Sequence, residues 1–108
     1  MAAGHSFAGA SGRHYDYVLL DPSTSALAPM QGGNFIFAKS AKNEPEIIHI
    51  GAAPSIQAVI LNTRIWSEAQ EKYGANQFFI HVGLDEAARE PEKADLLRKY
   101  HPPMNPTE

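Results

Sequence analysis

The sequence predicts one small α/β domain of the α+β type, and three observations carry that reading. Two short β-prone runs, Phe35-Ile36-Phe37-Ala38-Lys39 and Glu46-Ile47-Ile48-His49-Ile50, flank a polar stretch, the pattern of adjacent antiparallel strands joined by a loop. Both faces of that pair carry apolar side chains, so the sheet needs cover on two sides. Segments with helical spacing follow and can supply it. A chain of 108 residues, 44% of them hydrophobic, has enough for one modest core and little room for a second domain.

Each element has a local reason. Ser6-Phe7-Ala8 and Tyr15 to Leu20 flank Gly9-Ala10-Ser11-Gly12, whose glycines suit a hairpin connection, so an N-terminal hairpin is expected. Asp21 to Gly33 holds two prolines and two glycines among small residues without periodicity, and reads as a loop. In the central pair, period two puts Phe35 and Phe37 on one face; it also puts Ile47 with His49, and Ile48 with Ile50 opposite them. Pro54 suits the first turn of a short helix bearing Ile56, Val59 and Ile60. Thr63 can cap a second helix, Arg64 to about Tyr73, with Ile65, Trp66 and Ala69 as its apolar stripe and Gly74 as its stop. Gln77 to Val82 reads as a third core strand. Asp85 can then cap a last helical region reaching Tyr100, which Pro91 should kink or restart and which Pro102 and Pro103 end.

Composition narrows the function classes. Nine Lys and Arg against twelve Asp and Glu give a formal charge of −3, so no chain-wide basic field draws in phosphate backbones. The absence of cysteine excludes disulfides, thiolate catalysis and cysteine-ligated metals. No basic segment followed by an apolar stretch opens the sequence, and the longest apolar run, Ala58 to Leu61, is far too short to span a bilayer. The expectation is a soluble, cytoplasmic chain without membrane partners.

Three short motifs occur in a suggestive order. They are Gly33-Asn34-Phe35-Ile36-Phe37, then His49-Ile50-Gly51, then Ala94 to Tyr100 closing on Pro102-Pro103-Met104-Asn105. Together with the element order they resemble the GIY-YIG nuclease superfamily over about Gly33 to Asn105: a Gly-x-Tyr strand, a Tyr-x-Gly strand, and a closing helix with Pro-x-x-Asn. The resemblance implies a GIY-YIG-like fold, a small, mainly antiparallel central sheet flanked by helices. It divides the chain into an N-terminal hairpin and loop extension, 1–32, and a GIY-YIG-like domain, 33–108, in one compact unit.

The resemblance also implies a site. Family nucleases use two strand tyrosines, an arginine on the first helix and a glutamate on the last that holds one divalent metal. In this sequence the tyrosines fall on Phe35 and His49, the arginine on Val59 and the glutamate on Lys93. A phenyl ring has no hydroxyl, valine cannot pair with phosphate, and an ammonium repels Mg²⁺. Of the family identities, Gly33, Gly51 and Asn105 remain.

The function that follows is a GIY-YIG-like domain that has lost nuclease activity and binds nucleic acid, DNA or RNA, or else protein, without a cofactor. The alternative is a divergent Mg²⁺-dependent endonuclease using His49 and a shifted Glu92 or Glu90. Glu92 lies about 100° from Lys93 around a helix, and Arg64 lies five residues beyond Val59. Several local readings stay open. His49 suits acid–base work or simple packing, and His49 with His81 would make a metal site only if the strands bring them together. The strand aromatics and Trp66 are base-stacking groups or core. Arg89, Lys93, Arg98 and Lys99 are a phosphate surface or, interleaved with Glu90, Glu92 and Asp95, a solvated face.

Overall fold

The computed structural model describes residues 4–20, 31–42, 44–61 and 63–105. Eight elements follow one another: β1 (Gly4–Ala8), β2 (His14–Leu20), β3 (Gly33–Lys39), β4 (Glu46–Ala53), α1 (Ile56–Leu61), α2 (Thr63–Tyr73), β5 (Gln77–Val82) and α3 (Glu86–Tyr100). The expected loop lies mostly at residues 21–30, outside the described set, as does the side chain of Thr63.

The strands form one sheet in the order β1-β2-β5-β3-β4, with every pairing antiparallel. The N-terminal hairpin is thus part of the sheet, because β2 hydrogen-bonds to β5 with Val18 opposite Ile80. β3 lies centrally between β5 and β4, which explains why six of its seven residues are buried.

Two cores result. On one face Phe35, Phe37, Ile48, Phe78 and Ile80 pack beneath Ile56 and Ile60 of α1 and Ala69 of α2, with Val59, Ile65 and Trp66 alongside. On the other, Phe7, Tyr17, Ile36, Ile50 and Phe79 pack beneath Leu96 of α3, with Leu97 and Tyr100 beside it. The aromatics interlock edge to face, as with Phe37 and Trp66 at 5.0 Å and 68° and Phe7 and Phe79 at 5.3 Å and 81°. Such pairs add about 0.5–1.5 kcal/mol each beyond their burial.

Three local expectations are corrected. Ile47 and His49 do not share a face. Ala38 pairs with Ile47 but Phe37 pairs with His49, so Ile48 is an extra residue, and this β-bulge turns Ile48 and His49 toward α1 and α2 while Ile47 and Ile50 face α3. Pro54 precedes α1 rather than joining it; the cap is Ser55, whose hydroxyl accepts from Ala58 N at 3.3 Å. Pro91 neither ends nor restarts α3, which runs unbroken for fifteen residues. Both Pro91 and Ala87, whose carbonyl Pro91 leaves without a helical donor, are exposed, so water can satisfy it.

The ends of α3 are well fixed. Asp85 caps it by accepting from Ala88 N at 2.9 Å, and His101 closes it in the left-handed region at φ 47°. Beyond it the chain returns to the outer edge of β4. Met104 N donates to Ile48 O at 3.0 Å, Asn105 Oδ1 accepts from Ile50 N at 2.8 Å, and Asn105 Nδ2 donates to Ile50 O at 2.9 Å. Asn105 thereby clips an edge strand whose backbone groups would otherwise be open.

Candidate functional site

The motif glycines are explained by close approach. A Cβ at Gly51 would overlap the ring of Phe35, its partner across the β3–β4 ladder, so the ring lies where a side chain would stand. A Cβ at Gly33 would overlap the backbone of β5 at His81. Both glycines are therefore packing requirements of the sheet.

Around Phe35 the structure gathers two of the residues that the sequence aligned with a nuclease site, His49 and Val59; the other, Lys93, is on α3. The ring of His49 lies 5.7 Å from that of Phe35 and 5.5 Å from that of Phe37. Val59 packs against the same core. The pKa of His49 is lowered, chiefly because burial disfavours the imidazolium and next because the Lys93 ammonium acts on it; Glu68 on α2 opposes this more weakly. His49 is therefore neutral at pH 7. Its Nδ1 is buried without a hydrogen-bond partner among the described residues.

Glu92 is elsewhere. It is one of three residues through which α3 meets the sheet, with Asp95 and Leu96, and its side chain is 7% exposed. Three groups converge on its Oε2: the Tyr17 hydroxyl donates at 2.6 Å, His81 Nδ1 at 2.9 Å and Asn34 Nδ2 at 3.4 Å. Asn34 Nδ2 also reaches Arg89 O at 3.1 Å, tying β3 to the helix backbone. Asn34 alternates with Phe35 along β3, so this cluster lies on the sheet face opposite His49. His49 shares no pocket with Glu92, nor with His81. Burial first, and then the hydrogen bond to Glu92, raise the Tyr17 phenol well above its ordinary range, so it remains a donor.

This polar cluster is what sequence reasoning missed. Its members are four residues on four elements, joined because β2, β5 and β3 are adjacent: Asn34 pairs with His81, and the Tyr17 ring lies 5.4 Å from the His81 ring. The one local signal was a glutamate sharing the buried face of α3 with Leu96. One turn further on, Asp95 receives Ser11 N at 2.9 Å, Ser11 Oγ at 2.6 Å and Tyr15 Oη at 2.7 Å, which hold its carboxyl below the usual carboxylate range. Together Glu92 and Asp95 bind the N-terminal hairpin to α3.

The other readings also resolve. Phe35, Phe37, Phe78 and Phe79 are core, none more than 5% exposed. Arg98 bonds Asp95 at 3.3 Å, Lys99 lies 5.4 Å from the Tyr100 ring centroid, and Arg89 donates to Leu84 O at 3.2 Å. Arg64 and Glu90 are exposed. Among the described residues no three His, Asp or Glu side chains stand together as a metal-ligand set, and no helix is long and apolar enough to cross a membrane.

The fold has solved counterparts. The chain is similar to the GIY-YIG N-terminal endonuclease domain of UvrC from Thermotoga maritima, seen in two tyrosine-to-phenylalanine point mutants, each bound to its catalytic divalent cation. Identity is 26% and 27%, the TM-score is 0.59 in both, and each match covers 79% of this chain and 93% of that one. No protein-family model matches the sequence, and no curated protein does. The likeness places the chain in the GIY-YIG superfamily by fold, with the nuclease-domain architecture that name denotes.

Proposed function

We propose that this chain is a GIY-YIG module that no longer cleaves phosphodiesters and binds nucleic acid in the cytoplasm. The observation that carries the reading is the character of the pocket around Phe35. At the aligned glutamate position the residue is Lys93, whose ammonium acts electrostatically on His49, an imidazole that burial keeps neutral. The phenyl of Phe35 and the isopropyl group of Val59 offer no ligand atoms. This donor set does not suit Mg²⁺ or Mn²⁺. The relatives bind their cation as tyrosine-to-phenylalanine mutants, so the lack of one hydroxyl is not decisive; the reversal of charge at Lys93 weighs more.

Affinity would come from phosphate contacts by Lys93, because the strand phenyl rings that might stack on bases are buried and Trp66 packs against the core. Binding should therefore be weak and salt-dependent. The test incubates the full chain with single-stranded DNA, duplex DNA and RNA in Mg²⁺ and in Mn²⁺, and measures binding by fluorescence anisotropy at low and moderate salt. Uncleaved substrate, with binding that weakens as salt rises and on Lys93→Ala, is the expected result. Metal-dependent cleavage that falls on His49→Ala would overturn the reading. Absence of both cleavage and binding would transfer the module to protein partners.

A further inference from the structure

The two edges of the sheet are finished differently. β1 and β4 are its outermost strands, and the β4 edge is closed by Met104 N on Ile48 O and by the two Asn105 bonds to Ile50. On β1, Gly9 N donates inward to Arg13 O at 2.8 Å, so alternation turns the backbone groups of His5 and Phe7 toward β2 and those of Gly4, Ser6 and Ala8 away from it. Tyr100 meets this outer side at the backbone of Ala8. Gly4 and Ser6 are exposed, and among the described residues no backbone group bonds them there. The strand also lacks what usually keeps an edge from pairing: Gly4-His5-Ser6-Phe7-Ala8 holds no Lys, Arg, Asp, Glu or Pro, and no bulge interrupts its register with β2.

We propose that β1 is a self-association edge, at which two copies of this chain pair antiparallel about a two-fold axis at Ser6 and join their sheets into one. Ser6 then exchanges both outward backbone bonds with Ser6 of the second copy, and Gly4 N–H donates to the outward carbonyl of Ala8 in that copy. Closure favours a second copy over a foreign strand. The two-fold consumes both open edges at once and leaves only β4 edges, each clipped by Asn105, whereas a foreign strand would leave its own far edge unpaired. The side chains agree with this register. It brings no like charges together, and it sets His5 opposite Phe7 of the second copy, ring types that already pack edge to face within β1 at 4.5 Å and 61°. Val18, which is 45% exposed, stands beside Gly4; with no side chain between them, its isopropyl group gains the Ala8 methyl of the second copy as cover. A contact built on one five-residue strand falls below the about 1,200 Å² of a standard interface, so the dimer is weak and concentration-dependent.

The test follows the full chain by sedimentation velocity from about 10 µM to about 1 mM, with amide exchange at both ends of the range. The mass should rise toward twice that of one chain, and the Gly4 and Ser6 amides should gain protection only at the high end. Ser6→Lys sets two ammonium groups against each other at the axis and should weaken association about tenfold or more. Where that variant disturbs the fold, Ser6→Cys tests the same contact in a chain without other cysteines: oxidation should cross-link it about tenfold faster than Gln70→Cys on the exposed side of α2. A monomer at about 1 mM with unprotected Gly4 and Ser6 amides would overturn the proposal and leave the edge to a foreign strand. Protection at every concentration would also overturn it, because a segment of the same chain would then cover β1. A dimer indifferent to Ser6→Lys, or equal cross-linking at positions 6 and 70, would place association elsewhere and overturn it too. None of these outcomes bears on nucleic-acid binding, which is read at Lys93.

Discussion

The two faces of the sheet carry their polar groups in opposite ways. Beneath α1 and α2 the aligned positions hold a phenyl ring, an isopropyl group and a neutral imidazole with an unsatisfied nitrogen, the imidazole alone being acted on by the Lys93 ammonium of α3. Beneath α3 the carboxylate at position 92, one residue from the aligned lysine, is surrounded by three donors. The first arrangement is apolar packing around a single imidazole. The second is a network whose members depend on one another, so deleting any one exposes the rest to a desolvation cost. The contrast shows that a carboxylate near an aligned position says little until its face is known.

The sharpest way to break this contrast is at Glu92. Glu92→Ala strands the buried Tyr17 hydroxyl, leaves Asn34 Nδ2 with Arg89 O alone, and should cost about 3–5 kcal/mol in urea unfolding. Glu92→Gln keeps an acceptor and should cost about 1–3 kcal/mol. Adding Tyr17→Phe to Glu92→Ala should recover part of the loss, because the stranded hydroxyl is gone. Additive losses would mean that the three donors do not form one unit.

On the other face the expected costs are steric. Gly51→Ala should destabilise by about 1–3 kcal/mol, because the new methyl overlaps the Phe35 ring. Phe35→Leu in the same chain should relieve it, and thermal unfolding of the pair against the singles would measure the coupling. Asn105→Ala should cost about 1–2 kcal/mol by removing both hydrogen bonds to Ile50. Faster amide exchange confined to the β4 edge would identify the cause, whereas uniform acceleration would argue against an edge clip.

The elements themselves were legible because each is written locally. Short β-prone apolar runs mark β3 and β5, Asp85 marks the start of α3, and the order of Gly33, Gly51 and Asn105 gave the superfamily. The bulge was not legible, since Glu46 to Ile50 is a uniform β-prone run and only the pairing of Phe37 with His49 reveals the extra residue. The unbroken passage of α3 through Pro91 depends on which side of the helix faces water. The Tyr17, Asn34, His81 and Glu92 cluster was least legible of all. It exists only because β2, β5 and β3 are neighbours in an order the sequence does not print, so Glu92 looked like a displaced metal ligand rather than the centre of a different network.

The smallest effect lies at His49, and its sign separates the faces most cleanly. Its folded pKa lies below the ordinary 6.5 because burial, and then Lys93, disfavour the charged form. The unfolded chain therefore binds the proton first on acidification. The contribution of this group to stability is complete above pH 6.5 and is lost as pH falls through its folded value, with a slope of at most about 1.4 kcal/mol per pH unit. His49→Phe should flatten that part of the profile. Lys93→Gln should raise the His49 pKa seen by NMR without altering the ring's contacts, and Lys93→Glu should raise it further. An unchanged titration in both variants would mean that the ammonium does not act on this imidazole, and with it would go the argument that Lys93 stands against a cation in this pocket.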